Sequence, residues 1–213
     1  MKKNKTIWAF AVAAFILPVA AYAVVTWYEQ KFRKLPVMGV PENINGVITA
    51  HRVGDFLLTN QDGNLISPET WKDKIVVCNF FFTRCPSICP KMTNNLKKVE
   101  EAFKYDEGII FNSISVDPEN DNAAQLNSFA QPYHINSSNW QLLTGDKKEI
   151  YKLARNSFLV VAADGDGGPN DFIHSEKVIL IDKQRRIRGY YEGTSEKEMK
   201  NLITDIKKLE NEN

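Results

Sequence analysis

Phe80-Phe81-Phe82-Thr83-Arg84-Cys85-Pro86-Ser87-Ile88-Cys89-Pro90 carries an apolar strand into two thiols and two prolines before a helical pattern begins. Each of these cysteines precedes a proline, whose ring pushes the residue before it away from the right-handed helical region. Cys85 to Cys89 is therefore expected to form a turn. A helix is expected to start with Cys89 as its cap and Pro90 as its first residue, where the missing N–H does no harm. The thiols would then lie at a helix N-terminus, whose partial positive charge favours thiolate over thiol. This is a place for soft-metal or redox chemistry.

Working outward, Lys74-Ile75-Val76-Val77-Cys78-Asn79 extends the same strand backwards and is apolar on both alternating faces. That pattern fits the centre of a sheet covered by helices on each side. Beyond the turn, Met92, Leu96, Val99 and Phe103 share one face of a helix running to about Lys104. Ile109 to Val116 reads as a second strand ending at Asp117-Pro118. Ala123, Leu126, Phe129 and Ala130 mark a helix stopped before Pro132. A short strand is expected at Trp140 to Leu143 and a third helix around Ile150, Leu153 and Ala154. Lys177 to Asp182 and Ile187 to Tyr191 pair as antiparallel strands, and Met199, Leu202, Ile203, Ile206 and Leu209 line a last helix. Earlier, Asp55 to Thr59 and Asn64 to Ile66 flank Asn60-Gln61-Asp62-Gly63, where Asp-Gly supplies a hairpin turn. The sum predicts an α/β fold, a mixed central sheet flanked by helices with an added N-terminal β-hairpin.

The N-terminus places Lys2, Lys3 and Lys5 before a stretch with no charged residue from Thr6 to Tyr28. At about 1.5 Å per residue, Ile7 to Trp27 reaches across a hydrocarbon layer of roughly 30 Å. Residues 1–6 read as a cytoplasmic n-region, 7–27 as a transmembrane anchor or uncleaved signal, 28–45 as a tether and 46–213 as one domain. The lysines favour an inside N-terminus, and Trp27 and Tyr28 suit the far interface. The domain is expected to be extracytoplasmic, on the periplasmic side of a bacterial inner membrane in a single-pass protein. Ala21-Tyr22-Ala23 also resembles a cleavage site, which gives the same compartment. With 27 basic against 26 acidic residues, evenly spread, the chain carries no electrostatic footprint for nucleic acid.

If two of the three cysteines pair, Cys78 is the odd one, a small apolar residue of the core strand. A permanent Cys85–Cys89 disulfide would close too small a loop to add much stability, so reversible thiol chemistry or metal binding is the better account. His51 and His134 have ordinary hydrogen-bonding or surface roles open to them. His174 is the candidate third ligand, following Asp171-Phe172-Ile173 and preceding the Lys177 to Asp182 strand. Two thiolates and one imidazole suit Cu(I), and with an added weak oxygen Cu(II); zinc would accept the same set. Met92 could offer a thioether, but its helical face makes core packing its expected role. Asp164 to Asp171 is faintly like a calcium loop, with Gly168 and Pro169 at the wrong places. Asp117 is expected to form the turn with Pro118 or to help shape the site.

Phe82-Thr83-Arg84-Cys85-Pro86-Ser87-Ile88-Cys89-Pro90, Ser115-Val116-Asp117-Pro118-Glu119 and the late His174 before a strand together resemble the Sco/SenC family of membrane-anchored copper proteins, over roughly residues 45 to 209. The resemblance implies a thioredoxin-like fold, with copper, as Cu(I) or Cu(II), held by Cys85, Cys89 and His174. It also implies a role in assembling the binuclear copper centre of cytochrome c oxidase, so that the partner is the copper-bearing subunit of that enzyme or another exported cuproprotein. A metallochaperone that delivers copper is the first expectation. The alternative is a thiol-disulfide oxidoreductase that uses Cys85 and Cys89 as a redox-active pair to keep the cysteines of that site reduced. Many members carry an acidic residue between the cysteines where this chain has Ser87, and its loss, together with Arg84, is expected to ease thiol deprotonation.

Overall fold

The computed structural model of the chain describes residues 12, 14–26, 28, 34–44, 46–136, 138–160 and 175–212. They form two units, an N-terminal one up to Lys34 and a second spanning Leu35–Asn211. In the first, residues 14–26 are helical, with the Thr26 hydroxyl donating to the Tyr22 and Ala23 carbonyls. The expected span at residues 7–27 lies partly outside the described residues, and among these no helix is long and apolar enough to cross a membrane.

The second unit opens with a two-stranded hairpin, β1 (Glu42–Ile44) and β2 (Val47–Thr49), turned at Gly46 with φ +83°. There follow β3 (Leu58–Asn60), β4 (Leu65–Ile66), β5 (Ile75–Phe81), α1 (Ile88–Ala102), β6 (Ile109–Ser115), α2 (Ala123–Ala130), β7 (Trp140–Thr144), α3 (Lys147–Lys152), a π-helical turn at Leu153–Ser157, β8 (Lys177–Ile181), β9 (Ile187–Glu192) and α4 (Glu196–Glu210). Helix starts follow capping chemistry: Asn122, Asp146 and Ser195 each accept from a backbone N–H three residues on.

Seven strands make one sheet in the order β4-β3-β7-β6-β5-β8-β9. β5, β6 and β7 run parallel, and the remaining pairings are antiparallel. This is the mixed, thioredoxin-like α/β sandwich that the resemblance implies, and the expected Asp-Gly hairpin is β3–β4 at one edge. Every residue of β5 and of β6 is buried, as expected of strands covered on both faces.

The alternation along β5 separates two cores. Ile75, Val77 and Phe81 face Met92, Leu96 and Val99 of α1 and Leu202 and Ile206 of α4. Val76, Cys78 and Phe80 face the other side, with Ile150, Ala154 and Phe158. Each fully buried aliphatic or methionine side chain here contributes about 1.5–3 kcal/mol. Met92, with no exposed surface, is a core residue, and Cys78 lies across the sheet from the core that contains Cys89.

At the β9 edge, residues 35–38, part of the expected tether, lie against the sheet. Arg188 donates to the carbonyls of Leu35 and Pro36, and the Met38 N–H donates to the Ile187 carbonyl at 2.8 Å. Arg188 is itself buried and paired with Asp182 at 3.0 Å. Sequence periodicity showed neither this contact nor the β1–β2 hairpin, because both depend on backbone bonding and not on an apolar pattern.

Candidate metal centre

The parallel strands β5 and β6 end at the same edge of the sheet, in register from Ile75 opposite Ile109 to Phe81 opposite Ser115. Residues just beyond the carboxyl ends of such strands converge, and in α/β folds they are where sites are built. Here the converging segments are Thr83 to Cys89, leading into α1, and Val116 to Asp121, which turns away from β6.

The thiol segment leaves β5 through a turn in which the Cys85 N–H donates to the Phe82 carbonyl. The helix then begins two residues earlier than expected. Ser87 is the N-cap, with φ −142°, and Ile88 is the first helical residue, so that Cys89 and Pro90 lie inside the first turn. Proline is tolerated there because the first four N–H groups of a helix have no intrahelical acceptor. The Lys91 N–H donates to the Ser87 carbonyl at 3.4 Å.

All three cysteines are free thiols. Cys85 is partly exposed, and its Sγ accepts from the Cys89 N–H at 3.3 Å. Burial works to raise its pKa, but hydrogen bonds from the N–H groups of Cys89, Ser87 and Ile88 and from the Cys89 thiol outweigh that, and the net direction is down. Cys89 behaves oppositely. Burial, reinforced by the Cys85 hydrogen bond and by the negative charges of Cys85 and Asp121, outweighs an N–H from Phe82 and pushes its thiol up to about 12. The two thiols, expected to behave alike at the helix terminus, are thus shifted in opposite directions, Cys85 down and Cys89 up. Both sit at the helix terminus, but only Cys85 has its sulfur ringed by N–H donors. Arg84 differs from expectation too: its guanidinium is held by Asp117 at 2.8 Å, and the groups that lower Cys85 are backbone N–H groups and the neighbouring thiol.

A cavity of about 300 Å³ opens beside the pair. Phe80, Phe81, Phe82, Pro86, Ile88 and Val116 give it apolar walls, Cys85 and Cys89 a soft donor face, and Ser175 and Glu176 a polar end. The Glu176 carboxylate is fixed by a hydrogen bond from the Thr194 hydroxyl at 2.9 Å. Such a donor set fits a thiophilic metal better than a hard cation. Among the described residues no three or more His, Cys, Asp or Glu side chains form a metal-holding group. The expected third ligand His174 and the calcium-like segment Asp164 to Asp171 lie outside the described residues.

The other histidines have structural roles. His51 is buried, its Nε2 hydrogen-bonded to the Ser157 carbonyl at 2.8 Å. His134 takes a left-handed conformation, φ 52°, at a helix end, where its carbonyl accepts from Lys97. Cys78 is fully buried, and burial raises its pKa. Sequence reasoning singled out Asp117, which binds Arg84 and Asn120, but missed Asp121 and Thr83. The Thr83 N–H and hydroxyl both donate to Asp121. The usable signal was the pairing of two parallel strands whose loops carry the cysteines and the carboxylates.

Fold and site define a thioredoxin-like protein with an asymmetric dithiol at a helix N-terminus. Residues 47–211 match the SCO1/SenC family model, and the chain belongs to that family. It is 35% identical over 161 residues to the SCO1 protein homolog of Bacillus subtilis (strain 168), an alignment covering 74% of this chain and 82% of that one. Among solved structures, it is similar to BsSco, described as a member of the Sco family of cytochrome c oxidase assembly proteins with a disulfide switch. That match has a TM-score of 0.66 and 28% identity, and covers 85% of this chain and 100% of that one. It is also similar to Bradyrhizobium japonicum ScoI with copper bound, at a TM-score of 0.61 and 26% identity, covering 75% and 99%.

Proposed function

We propose that this chain is a copper-binding protein of cytochrome c oxidase assembly, tethered to the membrane through residues 7–27 with its domain on the extracytoplasmic side, and that it delivers copper to the binuclear site of the oxidase or to another exported cuproprotein. The ligands are Cys85, Cys89 and His174. The observation that carries this reading is the cavity lined by both thiols and by Ser175, the residue covalently next to His174.

The side chains divide the work. Cys85, already biased towards thiolate, offers the first soft donor from the cavity mouth. Cys89 stays protonated until a metal competes for its sulfur, and then gives up a proton, so loading releases H⁺ and weakens as pH falls. The imidazole of His174 closes the set as a neutral ligand. Copper is cargo: because a three-donor site leaves coordination positions open, an acceptor's ligands can exchange in one at a time. The apolar walls keep competing water away from the thiols.

The thiol asymmetry also favours a second reading, thiol-disulfide exchange. The Cys85 thiolate attacks one sulfur of a target disulfide, and the target's other sulfur leaves as a thiolate. Cys89 then loses its proton and attacks Cys85, which frees the target's second thiol. Two electrons pass to the target, the chain is left with a Cys85–Cys89 disulfide, and a thiol reductant restores it.

The deciding experiment is copper titration of the reduced full chain, with zinc as competitor, for the parent and His174→Ala. Loss of the imidazole is expected to weaken Cu(I) by more than about 100-fold, beyond the range for an outer-shell partner, and to leave disulfide exchange intact. Unchanged copper affinity in His174→Ala would overturn the three-ligand site.

A further inference from the structure

The carboxylate of Asp121 has no exposed surface and lies in the turn that follows β6. Its Oδ2 accepts from the Thr83 N–H at 3.0 Å and from the Ser115 hydroxyl at 2.5 Å, and its Oδ1 accepts from the Thr83 hydroxyl at 2.5 Å. Its own N–H donates to the Asp117 carbonyl at 2.9 Å, and Asp117 in turn holds Arg84 at 2.8 Å. One short turn thus grips both residues that immediately precede Cys85. Hydrogen bonds to an ionised acceptor are roughly twice as strong as neutral ones. A buried acidic side chain that ties the exit of β5 at Thr83 to the end of β6 at Ser115 is placed to fix that exit.

We propose that Asp121 is a positioning residue of the dithiol site: by binding the Thr83 N–H and hydroxyl it sets where Cys85 stands relative to Cys89, and so the separation of the two sulfurs offered to a metal or to each other. Thr83 transmits the constraint along the chain, because Arg84 alone separates it from Cys85. Ser115 ties the same carboxylate to the end of β6, so the thiol turn is referenced to the rigid centre of the sheet. Only an acceptor satisfies this arrangement. An amide at position 121 keeps only one of the two acceptor oxygens and carries no charge, so the three bonds from Thr83 and Ser115 cannot all be kept as they stand, while the volume of the side chain is nearly unchanged. The metal half of this inference rests on the proposed copper site; the thiol half does not.

The test uses the reduced full chain and two readouts. The first is Cu(I) affinity, by competition with a chelator of known affinity. Asp121→Asn is expected to weaken it by about 10–100-fold, the range for partners that orient a ligand without touching the metal. Thr83→Val is expected to act in the same direction by a smaller factor. The double variant is expected to lose less than the sum of the two, because both act through one contact. The second readout needs no copper: the equilibrium of Cys85 and Cys89 with the glutathione couple. There, glutathione disulfide takes two electrons from the two thiols, the Cys85–Cys89 bond forms and two glutathione thiols are released. A looser turn lowers the effective concentration of one thiol at the other, with an expected fall of about tenfold in that equilibrium constant, or about 30 mV. Leu209→Ala in α4, remote from the turn, is the control for lost stability alone and is expected to move neither readout. Unchanged values for Asp121→Asn, or changes matched by Leu209→Ala, overturn the proposal. If Asp121→Asn does not fold, Thr83→Val with both readouts unchanged overturns it. A parent that binds no copper defeats the copper reading, and Asp121 is then judged by the glutathione equilibrium.

Discussion

Cys78 and Cys85 carry the same functional group on one continuous segment, yet the molecule treats them as different substances. Cys78 stands inside β5, fully buried in the face opposite α1, where its thiol is a small apolar filler. Cys85 stands where that strand has ended and the next helix has not closed, so N–H groups with no helical partner turn towards its sulfur. Cys89, one turn further on, shares the helix terminus, but its N–H donor from Phe82 is outweighed by burial. The lesson is that thiol reactivity here is set by where the backbone leaves hydrogen bonds unspent, more than by helix position as such.

The strongest way to break the comparison is to replace each site thiol singly. Cys85→Ser and Cys89→Ser are both expected to lose more than about 100-fold in Cu(I) affinity, whereas only Cys85→Ser should abolish rapid reaction with a thiol reagent at neutral pH. Chelator competition and alkylation followed by mass spectrometry check the two halves. Equal alkylation rates in the two variants would erase the distinction between the sulfurs.

A second measurement sharpens it through pH. Cys85, lowered, is expected to alkylate at neutral pH, while Cys89 lags until the pH nears about 12. The folding consequence has opposite signs. A raised thiol such as Cys89 or Cys78 favours the folded state fully below the ordinary thiol value of roughly 8.5, and that contribution is lost as pH climbs through the raised value. Cys85 instead contributes above the ordinary value, and its share is lost as pH falls through the lowered one. The melting midpoint is therefore expected to decline from about pH 9 upward, less steeply in Cys89→Ser, as thermal unfolding across that range would show.

The smallest effect on the site is expected from Cys78→Ser. Placing a hydroxyl in an apolar core without a partner should cost about 1–3 kcal/mol of stability, read from denaturant midpoints, with copper affinity unmoved.

Much of this was legible in the sequence. The doubly apolar β5, the Met92-Leu96-Val99 face of α1 and the Asp-Gly hairpin are local patterns, and the structure follows them. The thiols and the carboxylate Asp117 could be picked out because their neighbours in sequence, the prolines, announce turns. What could not be read was whatever depends on a partner distant in the chain. Asp121 gains its meaning only when β6 lies beside β5. Arg84 looked like a cation for the thiols until Asp117 claimed it, and the start of α1 moved from Cys89 to Ser87 because proline is as harmless in the third helical position as in the first.

One feature at the far edge of the sheet bears on handling of the chain. β9 is an outermost strand, and an uncovered outer strand is a template for pairing with a second copy. The strap at residues 35–38, locked by the Arg188 guanidinium and the Met38 N–H, occupies part of that edge. Residues 35–38 thus cover part of that border, and a chain trimmed to begin beyond Met38 is expected to keep its dithiol while presenting a bare, sticky border.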